Sequence, residues 1–240
     1  MPAVSLTKTA QLAGVAALAV VTVVLVVLAM TRSVAVTSVD STQEAPAPDV
    51  TRPPAPATTV SVLGDEHVLR EGSWFYRSVP AEDGGPIERG IVLAEPDAGV
   101  RSLDAKLDQV EAGDVVLLAG GSVDVQKGRN AKKIAADVRG LVRDVQDRDA
   151  RPVLVLLPPS NQRGFVTKLV NRKLRAYGER RSLPVLDIFG PLSTPPGDWK
   201  KKYTDDGAFA NEAGAKRQAE VVTGRLAWIA AAQQAQAQPG

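Results

Sequence analysis

The 240-residue chain contains no cysteine and a single histidine, His67. The missing thiols exclude disulfides, cysteine nucleophiles and thiolate metal sites. One imidazole excludes a histidine metal cluster and leaves His67 as the only histidine able to move a proton. Charge of one sign is also lacking: 29 Lys and Arg against 27 Asp and Glu leave a net +2. No dense basic face emerges, so nucleic acid is not an expected partner. No spacing points to a resident metal or cofactor. Aromatics are only 4% of residues, so the run Trp74-Phe75-Tyr76 stands out. It is expected to form core or pocket wall rather than a ligand platform.

Long charge-free runs are rare, with one exception. No charged residue occurs from Thr9 to Thr31. As a helix, 10–31 is long enough to cross about 30 Å of hydrocarbon. A cleavable signal usually has an apolar run of about 7–15 residues and a small-x-small site. Here the run is longer, and no Ala-x-Ala follows. The segment is therefore expected to be an uncleaved transmembrane signal anchor. Lys8 and Arg32 flank it, and the short N-terminal side makes N-in the default. The expectation is a single-pass cell-membrane protein, with 1–9 cytoplasmic and the C-terminal domain outside. Residues 32–58, which include APAPDVTRPPAPAT, read as a semi-extended linker. The tail 232–240 is low-complexity and expected to fray.

Between these lies 59–231, where short apolar runs alternate with amphipathic segments. Expected strands are 59–63, 89–95, 114–120, 151–159 and 183–189. Leu103, Leu107 and Val110 recur at helical spacing. So do Ile134, Val138, Leu141, Val142 and Val145, and again Val166, Leu169, Val170, Leu174 and Tyr177. A last helix is expected from Asn211 to about Ala231, with Ala219, Val222 and Leu226 inward. Continuously apolar strands imply burial on both faces, and strand–helix alternation implies a parallel sheet. The fold class is thus α/β, three-layered, on a five-stranded parallel sheet. In such sheets the working residues follow the C-terminal strand ends.

Four stretches sit there: Gly64-Asp65-Glu66-His67; AEPDAGVRS, containing Gly99; AGGSVDV, residues 119–125; and TDDGAFANEAGAKRQAEVV, residues 204–222. In that order they resemble the SGNH, or GDSL-type, hydrolases. The resemblance implies a flavodoxin-like three-layer fold and acyl-ester hydrolysis or transfer. It places Glu66 where the nucleophilic Ser belongs, Val123 where the oxyanion Asn belongs and Phe209 where the general-base His belongs. Gly99 can supply the oxyanion glycine and Asp206 fits the catalytic Asp. Residues that shape turns match, whereas most of those that move protons or stabilise charge do not. Phe209 accepts no proton, Val123 offers no side-chain donor, and a carboxylate at Glu66 opposes a developing oxyanion.

Two functions from different classes follow. One is a catalytically degenerate binding or scaffold module at the cell envelope, with an envelope protein or a glycan as partner. Its ligand-binding candidates are Asp65, Glu66, His67, Gly99, Gly121, Asp124 and Phe209. The other is an envelope hydrolase or acyltransferase with rewired chemistry, its catalytic candidates Glu66 and Asp206. There, Asp65, Glu66, Asp124 and Asp206 would converge, dividing acid and base roles or holding Mg²⁺ or Ca²⁺. The plainer expectation for Glu66 is a cap that accepts backbone N–H groups, with His67 packed or solvated. Asp206, Gly207 and Asn211 can equally serve a turn and a helix cap. Phe209 would then fill the missing histidine's volume. The run Lys200–Tyr203 reads as a solvated face or a contact for anionic headgroups.

Overall fold

A computed structural model describes residues 57–81 and 85–236. The expected anchor (10–31), nearly all of the linker and the last four residues lie outside them. Among the described residues no helix is long and apolar enough to cross a membrane.

Five strands are β1 (Thr58–Gly64), β2 (Ile87–Ala94), β3 (Val115–Ala119), β4 (Arg151–Val155) and β5 (Val185–Leu186). All pair in parallel, in the order β2-β1-β3-β4-β5. Alternate residues of each strand feed opposite layers. Val116 and Leu118 of β3 join Leu63, Leu103, Leu107, Ile134, Val142 and Leu174 on one side. Val115 and Leu117 join Val62, Trp74, Phe75, Val222 and Leu226 on the other. Burial on both faces is why these strands read as unbroken apolar runs.

The helices are α1 (Glu66–Leu69), α2 (Trp74–Ser78), α3 (Val100–Leu103), α4 (Ser122–Gln126), α5 (Ala131–Gln146), α6 (Gly164–Arg181) and α7 (Glu212–Gln236). In α5 the five expected apolar residues are all buried, and Asn130 caps the helix by accepting the Lys132 N–H at 2.7 Å. The Leu103–Val110 segment follows the α-turn Val100–Leu103 as a 3₁₀ helix, Asp104–Gln109. Within α6, Val170, Leu174 and Tyr177 are buried, while Val166 and Leu169 pack against the core only partly. The last helix runs past Ala231 to Gln236.

Strand β3 is one residue shorter at each end than expected, and β4 and β5 are cut back further for local reasons. Pro158 and Pro159 end the run after β4, since neither has an N–H for a ladder. Near β5, Pro184 lacks that donor as well. The Asp187 carboxylate then takes the N–H groups of Phe189 and Gly190, at 3.1 and 2.7 Å, and turns the chain out of the sheet. One irregularity lies deeper. The β1–β2 register shifts between Val60 and Val62. Ser61 fills the shift: its Oγ accepts the Ile91 N–H at 3.1 Å and donates to Asp114 at 2.7 Å. A Cβ on Gly90 would lie 2.3 Å from that hydroxyl. Ser61 is therefore a structural serine.

Register puts the ends of β1, β2 and β3 level, with Gly64 opposite both Ala94 and Ala119. The chain moves outward from β1 to β2, then returns to the other side of β1 as β3. That reversal opens a crevice beyond Gly64 and Ala119, where open α/β sheets place ligands.

Candidate functional site

Asp65 crosses this crevice. It caps α1, its Oδ1 accepting the His67 N–H at 3.1 Å, while its Oδ2 accepts the Ser122 N–H from α4 at 3.1 Å. The carboxyl is fully buried. Burial raises its pKa above the usual value, against the pull of His67 and the two N–H groups. The cap expected of Glu66 thus belongs to Asp65. Glu66 opens the first turn of α1, partly exposed, and pairs with Arg70 at 3.6 Å.

The second and third stretches meet at Asp124. It is 2% exposed, accepts the Val100 N–H at 2.8 Å and pairs with Arg129, which also grips Asp137 at 2.6 Å. Gly99 lies against it: a Cβ there would sit 3.1 Å from the Asp124 carboxylate. Gly121 adopts φ +124°, a conformation that side chains resist. Both glycines shape loops, and Val123 is buried in the core. The hydroxyl of neighbouring Ser122 is buried beside the Asp65 carboxyl and favours its charged form.

In the last stretch, Asp206 Oδ1 accepts the N–H groups of Ala208 and Phe209, each at 2.8 Å, and the Thr204 hydroxyl at 3.3 Å. Burial opposes ionisation, but those donors outweigh it and hold the carboxyl below its usual pKa. Gly207 has φ +74°, and a Cβ would strike Asn161 at 2.4 Å. Asn211 caps α7 as expected, its Oδ1 taking the Gly214 N–H at 3.0 Å. Lys200 reaches Pro191 O at 2.8 Å, whereas Lys201 and Lys202 are exposed.

Phe209 fills the crevice mouth. The His67 ring packs on it at 4.7 Å between centroids, and the Arg70 guanidinium lies 3.7 Å over its face. The structure therefore joins Glu66, His67 and Phe209 around Arg70. Asp65 lies beneath, and Gly99, Gly121 and Asp124 are occupied with backbone geometry. The four carboxylates do not gather as the rewired-enzyme alternative required: among the described residues no group of three His, Asp or Glu is placed to share a metal ion. Sequence reasoning missed Arg70, whose only local signal is its position one turn after Glu66 and His67. It also missed Arg129, which neutralises Asp124 from five residues on.

Desolvation lowers the His67 pKa below 6.5, although Asp65 and Glu66 pull it upward. His67 is the chain's one histidine, so its imidazole NMR signal titrates without overlap. Its midpoint is expected below 6.5. A folded-state pKa below the unfolded one gives a stability contribution present above pH 6.5 and lost as pH falls through the folded value. His67→Gln should flatten stability across that window. A midpoint at or above 6.5 would contradict the packing of His67 against Phe209.

Residues 67–217 match the GDSL-like Lipase/Acylhydrolase family model. The chain belongs to this family. Solved structures agree on the fold. A G-D-S-L family protein from Desulfitobacterium hafniense is 18% identical with a TM-score of 0.61, covering 69% of this chain and 98% of its own. A GDSL-like lipase from Bacteroides thetaiotaomicron is 15% identical with a TM-score of 0.57, covering 73% and 89%. A psychrotrophic esterase from Pseudoalteromonas is 18% identical with a TM-score of 0.56, covering 72% and 98%. No functionally curated protein matches the chain.

Proposed function

We propose that this chain is a GDSL-family domain that does not hydrolyse esters and acts by binding an envelope protein or glycan. A signal anchor at 10–31 holds it at the cell membrane, with the domain outside the cytoplasm. One observation carries the reading: Phe209, which the resemblance sets at the general-base position, is packed between His67 and Arg70. A hydrocarbon ring takes no proton from a nucleophile. The candidate carboxylates Asp65, Asp124 and Asp206 are each engaged by backbone N–H groups.

Ser122 favours the opposite reading, since it and His67 line one cavity. That cavity offers only about 10 Å³. One water needs about 10–15 Å³, so an ester does not fit. In an assay with a short p-nitrophenyl ester, the full-length protein should match the enzyme-free rate, as should Glu66→Gln and Ser122→Ala. Saturable hydrolysis lost in either variant would establish a rewired enzyme instead.

A further inference from the structure

Helix α6 carries a charge imbalance that the chain as a whole hides. Its 18 residues include six Lys or Arg and one carboxylate, Glu179, whereas the whole chain nets only +2. The helix buries one side against the sheet through Val170, Leu174 and Tyr177. The helical period then turns Phe165, Arg172, Ala176 and Glu179 outward, with Lys168, Lys173 and Arg180 flanking them.

Two of the six cations are engaged within the fold. Arg175 pairs with Asp187 at 2.6 Å, and Lys168 donates to Pro195 O at 2.7 Å. The side chains of Arg172, Lys173, Arg180 and Arg181 are exposed and have no ion pair or hydrogen bond among the described residues. Lys168 and Arg172, and Arg172 and Arg175, are like charges one turn apart. Such pairs destabilise a helix, and a negative surface laid across them reverses the effect. Apolar surface lies among the cations. Phe165 is 68% exposed. Leu169, one turn on, is only partly buried, as is Val166.

We propose that the outward face of α6 docks on an anionic lipid surface. Its cations meet the lipid phosphates, and Phe165 enters the interface below them. The inference rests on the anchored reading above, which keeps a bilayer close to the domain. A soluble polyanion would satisfy the cations alone and leave Phe165, Val166 and Leu169 in water. A lipid interface takes both, as it does for basic helices with aromatic and aliphatic side chains. Helix α7 covers the opposite face of the sheet, through Val222 and Leu226. Docking through α6 therefore turns α7 away from the bilayer.

The chain has no cysteine, so one introduced thiol carries a polarity-sensitive dye at a single position. The full-length protein is labelled at Ala176→Cys on α6, or at Glu220→Cys on α7 as the opposite-face control. Each is reconstituted in vesicles of phosphatidylcholine, alone or mixed with phosphatidylglycerol. The dye at position 176 should shift to the blue only with phosphatidylglycerol. The shift should vanish at high salt, where the screening length falls to about 3 Å. Position 220 should not respond. Each Lys or Arg near an anionic surface strengthens association about fivefold. Arg172→Gln with Lys173→Gln should therefore weaken docking at least tenfold, and Phe165→Ser several-fold, both with the melting temperature retained. Equal shifts at 176 and 220, a shift in phosphatidylcholine alone, or unchanged docking in the double variant would overturn the assignment. A blue shift with heparin and no vesicles would assign the face to a polyanion instead. Carbonate extraction reports the anchor separately. A chain washed off by carbonate that still shows the phosphatidylglycerol-dependent shift refutes the anchor and keeps the docking face. A retained chain with no shift does the reverse.

Discussion

Asp65→Ala should be the most destabilising single change at the strand ends. It strips the acceptor from two N–H groups, on His67 and Ser122, in a site with no exposure. Each buried donor left unpaired costs about 1–3 kcal/mol. The pair then loses about 2–6 kcal/mol, against about 5–15 for a whole domain. At about 2–4 °C per kcal/mol for a domain of this size, the melting temperature should fall on the order of 10 °C. Asp65→Asn should fall between, because its amide nitrogen cannot accept the second N–H. The wild-type pH profile carries the same signature. Burial raises the folded pKa of Asp65 above 3.8. Its contribution is full below the unfolded value and lost as pH rises through the folded one. Asp65→Asn should remove that loss. Thermal melts across acid pH check both claims, and an unperturbed melting temperature in Asp65→Ala would show that the bridge does not hold the crevice.

The combined substitution Glu66→Ser, Val123→Asn and Phe209→His should raise hydrolysis of a short activated ester at least about 10²-fold over the parent. A positioned general base typically contributes about 10²–10⁴ and one oxyanion donor about 10²–10³. The turns that carry positions 66 and 209 are held by Asp65 and Asp206. Asp65 fixes the turn that presents position 66. The three bonds at Asp206 all fall on Oδ1 and set the backbone at position 209. Arg70, over the ring at position 209, would keep an imidazole there neutral but weaken it as a base, which limits the gain. Single replacements should give no gain, since nucleophile, base and oxyanion donors act as a unit. A folded triple variant that stays at the enzyme-free rate would mean that the lost chemistry reaches beyond these three positions.

Much of the architecture was legible in the sequence because two-sided burial writes itself as continuous apolar runs. The α5 face was readable to the residue, since Ile134, Val138, Leu141, Val142 and Val145 share one helical stripe. The short extent of β5 was not, because it depends on Asp187 capturing Phe189 and Gly190. The helix cap at Asn211 was readable as well, since its side chain takes the Gly214 N–H. Which adjacent carboxylate made the α1 cap was not: Asp65 and Glu66 differ by one residue in phase, and only the incoming Ser122 N–H decides between them. Arg70 over Phe209 was invisible for a related reason, because the partners come from opposite ends of the domain.

The division of labour between Asp65 and Glu66 bears on how such a chain can change over generations. Glu66 keeps a 40% exposed side chain and one long ion pair, so replacing it alters little that folding depends on. Asp65, one residue earlier, admits almost no alternative. Mutation can therefore explore position 66 freely while the crevice around it persists. A domain built this way can lose one activity and acquire another through exposed positions alone, without passing through an unstable intermediate.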